Sequence, residues 1–199
     1  MKKNINHLAL AAISTLTIVG CMDLTSDPAS DPDPDPDPAR PPVTSDIAAR
    51  IKAAAVTANQ YHLKNVEFQQ CIDAPNGQLN IVLRLADCDF SSSSQTWAFV
   101  VLPDPDPLRP TSYYLVNQRS GFCAEVNQGT SVPGERVDLW HCDGSDAERW
   151  DRFSSNFSGE VIRNVGSHLV LDTVGGSHSQ LMQWFFELDN RAQAWVELL

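Results

Sequence analysis

Between residues 60 and 199 the chain runs in short apolar or alternating stretches, each closed by turn-forming residues. Asn80 to Leu85, Trp97 to Leu102, Arg136 to Trp140, His168 to Thr173 and Leu181 to Phe185 have the length and pattern of half-buried or buried β-strands. Asp73-Ala74-Pro75-Asn76-Gly77, Asn127-Gln128-Gly129, Pro133-Gly134 and Gly175-Gly176-Ser177 read as the turns between them. Residues 46–59 are alanine-rich and predict one or two helical turns against the strand region.

The strand pattern is written three times. Each copy opens on an asparagine in an apolar run, at Asn65, Asn117 and Asn164. Six residues later comes Cys71, Cys123 or Val170. Each copy closes on a Gln/Glu-x-Trp triplet: Gln95-Thr96-Trp97, Glu148-Arg149-Trp150 and Gln193-Ala194-Trp195. Repeats of this size are built from one strand unit used again. Three sets of strands can close a barrel and leave no free edge. The copies span about 60–108, 109–156 and 157–199, and the chain stops just after Trp195, where a closing strand is expected. Asp104-Pro105-Asp106-Pro107 reads as an exposed insertion between the first two.

The remainder reads as export and spacing. Lys2 and Lys3 precede an apolar stretch from Leu8 to Val19, too short to span a bilayer, which needs about 20 residues. Residues 1–20 are therefore expected to be a signal peptide. The Ile18-Val19-Gly20-Cys21 ending resembles a bacterial lipobox, which implies lipidation at Cys21 and an anchor in the cell envelope. Met22 after that cysteine resembles the outer-membrane or cell-surface sorting pattern. Residues 21–45 carry four Asp-Pro pairs in a row and predict a disordered, extended spacer without a core.

Formal charge is −11, and loss of Lys2 and Lys3 makes it more acidic still. That argues against nucleic acid and anionic lipid surfaces as partners. Setting Cys21 aside leaves four cysteines, each pair inside one copy, so Cys71–Cys88 and Cys123–Cys142 disulfides are predicted. Zinc is the alternative, but close Cys-x-x-Cys spacing is missing. The third copy has the apolar pair Val170 and Phe186 at these places.

Three Gln/Glu-x-Trp triplets in register, with Asn-x5-Cys and Cys-hydrophobic-acid in the first two copies and Trp-x-Cys in the second, resemble the ricin B-chain type β-trefoil lectins and related bacterial carbohydrate-binding modules. The resemblance covers nearly all of residues 60–199 and implies an all-β, β-trefoil fold. It makes Gln95, Trp97, Glu148, Trp150, Gln193 and Trp195 structural. It also implies sugar binding by an acid two residues after the first cysteine position and an aromatic two before the second. A carboxylate accepts vicinal hydroxyls, and a flat ring stacks on the C–H face of a pyranose.

The copies match unevenly. Copy one has Asp73 and Arg84 but Ala86 at the platform, so it is expected to be inactive, with Asp73 paired to Arg84. Copy two offers Glu125, Asp138 and Trp140. Copy three offers Asp172 and Trp184, with Asn190 and Gln193 nearby, and is expected to be the principal site. No His-Glu-x-x-His or Gly-x-Ser-x-Gly motif occurs, so no catalysis, metal or cofactor is expected. His168 and His178 flank Asp172 in sequence. The expected role is glycan or polysaccharide binding by a monomeric, lipid-anchored domain. The alternative is a protein-interaction or toxin-targeting subunit on the same scaffold.

Overall fold

The computed structural model describes residues 45–102 and 111–199. The expected signal peptide, Cys21, nearly all of the spacer and the Asp104–Pro107 insertion lie outside the described residues.

Helix α1 is Ser45–Thr57. Twelve strands follow: β1 Gln60–Asn65, β2 Cys71–Asp73, β3 Arg84–Ala86, β4 Thr96–Val100, β5 Tyr113–Asn117, β6 Cys123–Val126, β7 Val137–Trp140, β8 Arg149–Ser154, β9 Glu160–Asn164, β10 Val170–Thr173, β11 Leu181–Trp184 and β12 Trp195–Leu198. Strands β1, β4, β5, β8, β9 and β12 pair in a closed antiparallel ring. Hairpins β2–β3, β6–β7 and β10–β11 stand off that ring, one per copy. They meet one another through the bridges Val82–Asp138, Arg84–Gln180 and Arg136–Met182. A six-stranded barrel capped by a triangle of three hairpins is a β-trefoil, so the expected fold holds.

Each repeated residue has one job, done three times. The indole N–H of Trp97, Trp150 and Trp195 donates to the carbonyl of Ile72, Ala124 and Leu171, at 3.1, 3.0 and 3.2 Å. Each acceptor is the residue that follows Cys71, Cys123 or Val170, so each tryptophan fastens a barrel strand to its own hairpin. All three indoles are buried in one core with Leu63, Leu115, Ile162 and the hairpin leucines. The asparagines turn corners. Asn65, Asn117 and Asn164 donate from Nδ2 to the carbonyls of Ala192, Ser94 and Ala147, at 2.8, 2.9 and 2.8 Å. Their Oδ1 atoms accept backbone N–H groups two or three residues on. The residue four places after each asparagine (Gln69, Gly121, His168) takes a left-handed φ of 57°, 71° and 62°. A local side-chain clamp of this kind makes an otherwise strained turn tolerable.

Both disulfides form as predicted, Cys71–Cys88 and Cys123–Cys142. In the third copy Val170 is buried, whereas Phe186 is half-exposed and packs edge-to-face on Phe153, with ring centroids 5.4 Å apart. Two readings need correction. The expected strand Asn80–Leu85 is a strand only over Arg84–Ala86, because Asn80 has φ 61° and the chain there crosses to bond β7. The helix expected to be one or two turns is 13 residues long. Its Ile51 is wholly buried against Ala98, Val100, Val116 and the second disulfide, and that tertiary packing extends it beyond what alanine content alone would support.

Candidate functional site

The hairpins set the geometry. Opposite residues in an antiparallel pair share a face, as do residues two apart. In copy three Val170 faces Trp184 and Asp172 faces Met182, so Asp172 and Trp184 lie diagonally on one face. Gln183 takes the other face. It is fully buried, donates to the carbonyls of Thr130 and Val132 at 2.8 and 2.9 Å, and accepts from the Ser167 hydroxyl at 2.6 Å. It therefore locks hairpin three to a loop of copy two.

Asp172 is held from behind. Its Oδ1 accepts from the Thr173 N–H at 2.6 Å and its Oδ2 from Gln193 Nε2 at 2.8 Å. Asn190 Nδ2 reaches the same Oδ2 at 3.5 Å. Burial raises the Asp172 pKa, and the Gln193 and Thr173 hydrogen bonds oppose that rise. Gln193 is spent within the protein: Oε1 accepts from the Glu187 N–H at 2.8 Å, and Nε2 also donates to the Phe185 carbonyl at 2.7 Å. As a buried brace it fits its structural role. Its expected place as a ligand contact does not fit this burial, because the residue is fully enclosed and both Nε2 hydrogens are used within the protein. Asn190 is engaged at both ends: its Oδ1 caps the turn at the Ala192 N–H at 3.0 Å, and its Nδ2 also donates to Glu187 Oε2 at 3.2 Å. Trp184 stays half-exposed, with the far edge of its ring over Gly134 at the tip of hairpin two. A Cβ at residue 134 would lie 3.4 Å from that ring, in van der Waals contact with it.

Copy two repeats the arrangement with different chemistry. Cys123 faces Trp140 and Glu125 faces Asp138, so both carboxyls share a face with the half-exposed Trp140. Asp138 accepts from Arg136 Nε at 3.1 Å, yet burial pushes its pKa up to about 6 against that cation. Glu148 stands where copies one and three have glutamine. Its carboxyl accepts from the N–H groups of Asp143 and Gly144 at 2.9 and 3.0 Å. Carboxyl oxygens of Glu125, Asp143 and Glu148 lie within 4.8 Å of one another. Burial, then Asp143, then Glu125 push Glu148 up to about 9. Glu148 is thus neutral at pH 7 and carries a proton where the glutamines carry an amide donor. This trio is the one cluster among the described residues with oxygens close enough for a cation. Two amide N–H groups aimed at Glu148 suit an acceptor rather than a cation.

Copy one lacks the ring. Asp73 faces Arg84, which donates to Oδ2 at 3.4 Å, and the Ser94 hydroxyl takes Oδ1 at 2.6 Å. His178 flanks Asp172 only in sequence. Its N–H donates to Gln70 Oε1 at 2.8 Å, and its ring lies 3.4 Å from Asp87 of copy one. The roles of Arg136 and Ser94 and the raised pKa of Glu148 were not foreseen. The signal for the last was present, as an acid in place of glutamine in a triplet whose copy already had Glu125.

Comparison with known proteins agrees with this geometry. The model of the ricin-type beta-trefoil lectin domain matches residues 59–195. No curated protein sequence matches the chain. Among solved structures, a designed threefold-symmetric protein, ThreeFoil, is 18% identical with a TM-score of 0.62, over 70% of this chain and 97% of that one. An exo-beta-1,3-galactanase from Clostridium thermocellum is also 18% identical with a TM-score of 0.62, over 72% of this chain but only 30% of its own. The Rhizoctonia solani agglutinin is 17% identical with a TM-score of 0.59, over 71% and 94%. At these identities the likeness is one of fold.

Proposed function

Because this chain belongs to the ricin-type β-trefoil lectin domain family, we propose that it is a non-catalytic carbohydrate-binding protein whose principal site is the face of hairpin three. The observation that carries this is the shared face of Asp172 and Trp184, with Gln193 bracing the carboxylate from the core side. Asp172 accepts two hydroxyls, and Trp184 stacks on the C–H face of the ring. Glu125, Asp138 and Trp140 form a second site of the same plan. Asp73, tied to Arg84 and Ser94 and without an aromatic ring, leaves copy one inactive.

Two disulfides support export to an oxidising compartment. Lipidation at Cys21 and an Asp-Pro spacer then hold the domain off an envelope surface. A single millimolar site is worth only about −4 kcal/mol, so adhesion depends on many copies displayed together.

The test is a glycan array probed with the full, oxidised chain displayed multivalently. Binding to one glycan class should fall sharply in Trp184→Ala, fall less in Trp140→Ala and disappear in the double variant. Full binding by the double variant would sink the proposal. A blank array from a correctly folded chain would move the reading to a protein partner.

A further inference from the structure

The threefold repeat creates three equivalent seams, each where the strand that ends one copy pairs with the strand that opens the next. At each seam the residue after the tryptophan faces the residue before the asparagine. These pairs are Ala98 with Val116, Asp151 with Arg163, and Val196 with Lys64. The first seam is apolar and is covered by helix α1, with Ile51 buried on Ala98 and Val116. The second is filled by its own ion pair. Arg163 grips Asp151 through Nε at 3.0 Å and Nη2 at 2.6 Å, and lies over Phe153 at 5.4 Å.

The third seam keeps the cation and loses the carboxylate. Lys64 stands where Arg163 does, but Val196 replaces Asp151. None of the ion pairs among the described residues includes Lys64. The space in front of it is a cleft of about 600 Å³, lined by Lys64, Gln69, Asn156, Phe157, Ser158 and Arg191 together with Val66 and Val196. No acidic side chain lines it. Arg191 lies over the Phe157 ring at 5.2 Å and pairs at its rim with Glu67 at 3.1 Å. A guanidinium has five N–H donors, so this pair leaves some for a ligand. Even with Glu67 counted at the rim, Lys64 leaves the cleft net positive, a local exception on a chain of net charge −11. The volume falls in the range of small-molecule sites.

We propose that this cleft binds the charged group of an acidic saccharide, a carboxylate or a sulfate ester, with Lys64 and Arg191 as its cations. The anion takes the place that Asp151 occupies at the second seam, and Asn156, Ser158 and Gln69 face the sugar hydroxyls. The site is separate from the Asp172–Trp184 face. Only the choice of a saccharide as carrier rests on the lectin reading.

The experiment uses the full, oxidised, isotope-labelled chain. Oligogalacturonate and a sulfated galactoside are titrated against their neutral counterparts and against sodium sulfate, with backbone amide shifts as the readout. Acidic saccharides should move the amides of Lys64, Gln69, Phe157 and Arg191, more weakly as salt rises, and neutral ones should not. Lys64→Gln should weaken binding about tenfold, the loss of one charge-assisted hydrogen bond. Val196→Asp, which gives Lys64 the carboxylate that Arg163 already has, should do the same. Trp184→Ala should leave these shifts intact, so the cleft and the hairpin site fail separately. No localised shift with either acidic saccharide, or unchanged binding in Lys64→Gln, would overturn the site. Sodium sulfate bound as tightly as the saccharides would overturn its assignment to a sugar.

Discussion

At the residue scale, the exchange of glutamine for Glu148 has the largest consequence. Gln193 donates to Asp172 in copy three. The same position in copy two can donate toward Glu125 only while Glu148 holds a proton. Its pKa of about 9 means that the folded state keeps this proton, while an unfolded glutamate loses it near 4.5. The folded chain therefore binds more protons between those values, and stability falls as pH rises across them. Glu148→Gln removes the titration and restores the amide. The variant should be more stable than the parent by at least about 1 kcal/mol at pH 9, with little difference at pH 4.5, measured as urea midpoints against pH. Equal slopes in both proteins would show that Glu148 does not hold the proton. Asp138 gives a second pH test. Its carboxylate forms only above about 6. Glycan binding by Trp184→Ala, which leaves copy two alone, should fade as pH drops through that value, as followed by titration at each pH.

At the element scale, helix α1 is both a lid and a buttress. Its Ile51 closes the first seam, and its Ile47 reaches the Asp143–Gly144 loop that donates to Glu148. Gly144 has φ 86°, and a Cβ there would fall 2.4 Å from the Ile47 side chain. Gly144→Ala should cost about 1–3 kcal/mol through backbone strain, with the Ile47 side chain forced into another rotamer, read as a lowered Tm. Ile51→Ala should cost about 2–5 kcal/mol by cavity formation. Much of this element plan was legible in the sequence. Asn65, Cys71 and Trp97 recur at fixed offsets because each makes one tertiary bond that the fold needs three times. Disulfide pairing followed from the same repeat. The rest was hidden for physical reasons. Asn80 reads as strand because its neighbours are apolar, but Leu79, Ile81 and Val82 are partly buried at a crossing between hairpins. Gln193 reads as a ligand contact because it is polar and close to Asp172, and only the hydrogen-bond inventory shows both ends used. The open seam depends on Lys64 facing Val196 across strands separated by most of the chain, a register that no local pattern encodes.

At the scale of the whole molecule, the barrel closes its first strand on its last and the three copies share one core. No copy can bury its tryptophan alone, so the copies should unfold together although only two carry a disulfide. The bridges close loops of 17 and 19 residues, and each should contribute about 3 kcal/mol in the chain-entropy model. Domains of this size are stable by only about 5–15 kcal/mol, so reduction removes a large share of the total. Copy three has no cysteine. Its site is held by Gln183 on the carbonyls of Thr130 and Val132 and by the Arg136–Met182 bridge, and both anchors belong to copy two. Loss of order in copy two should therefore carry the Asp172–Trp184 face with it. Under reducing conditions, the loss of tryptophan burial and the loss of glycan binding should follow a single urea curve, displaced to lower urea than in the oxidised chain. Binding that outlived the fluorescence change would mean that hairpin three folds independently of the bridged copies, and that the shared core is not what holds the site together.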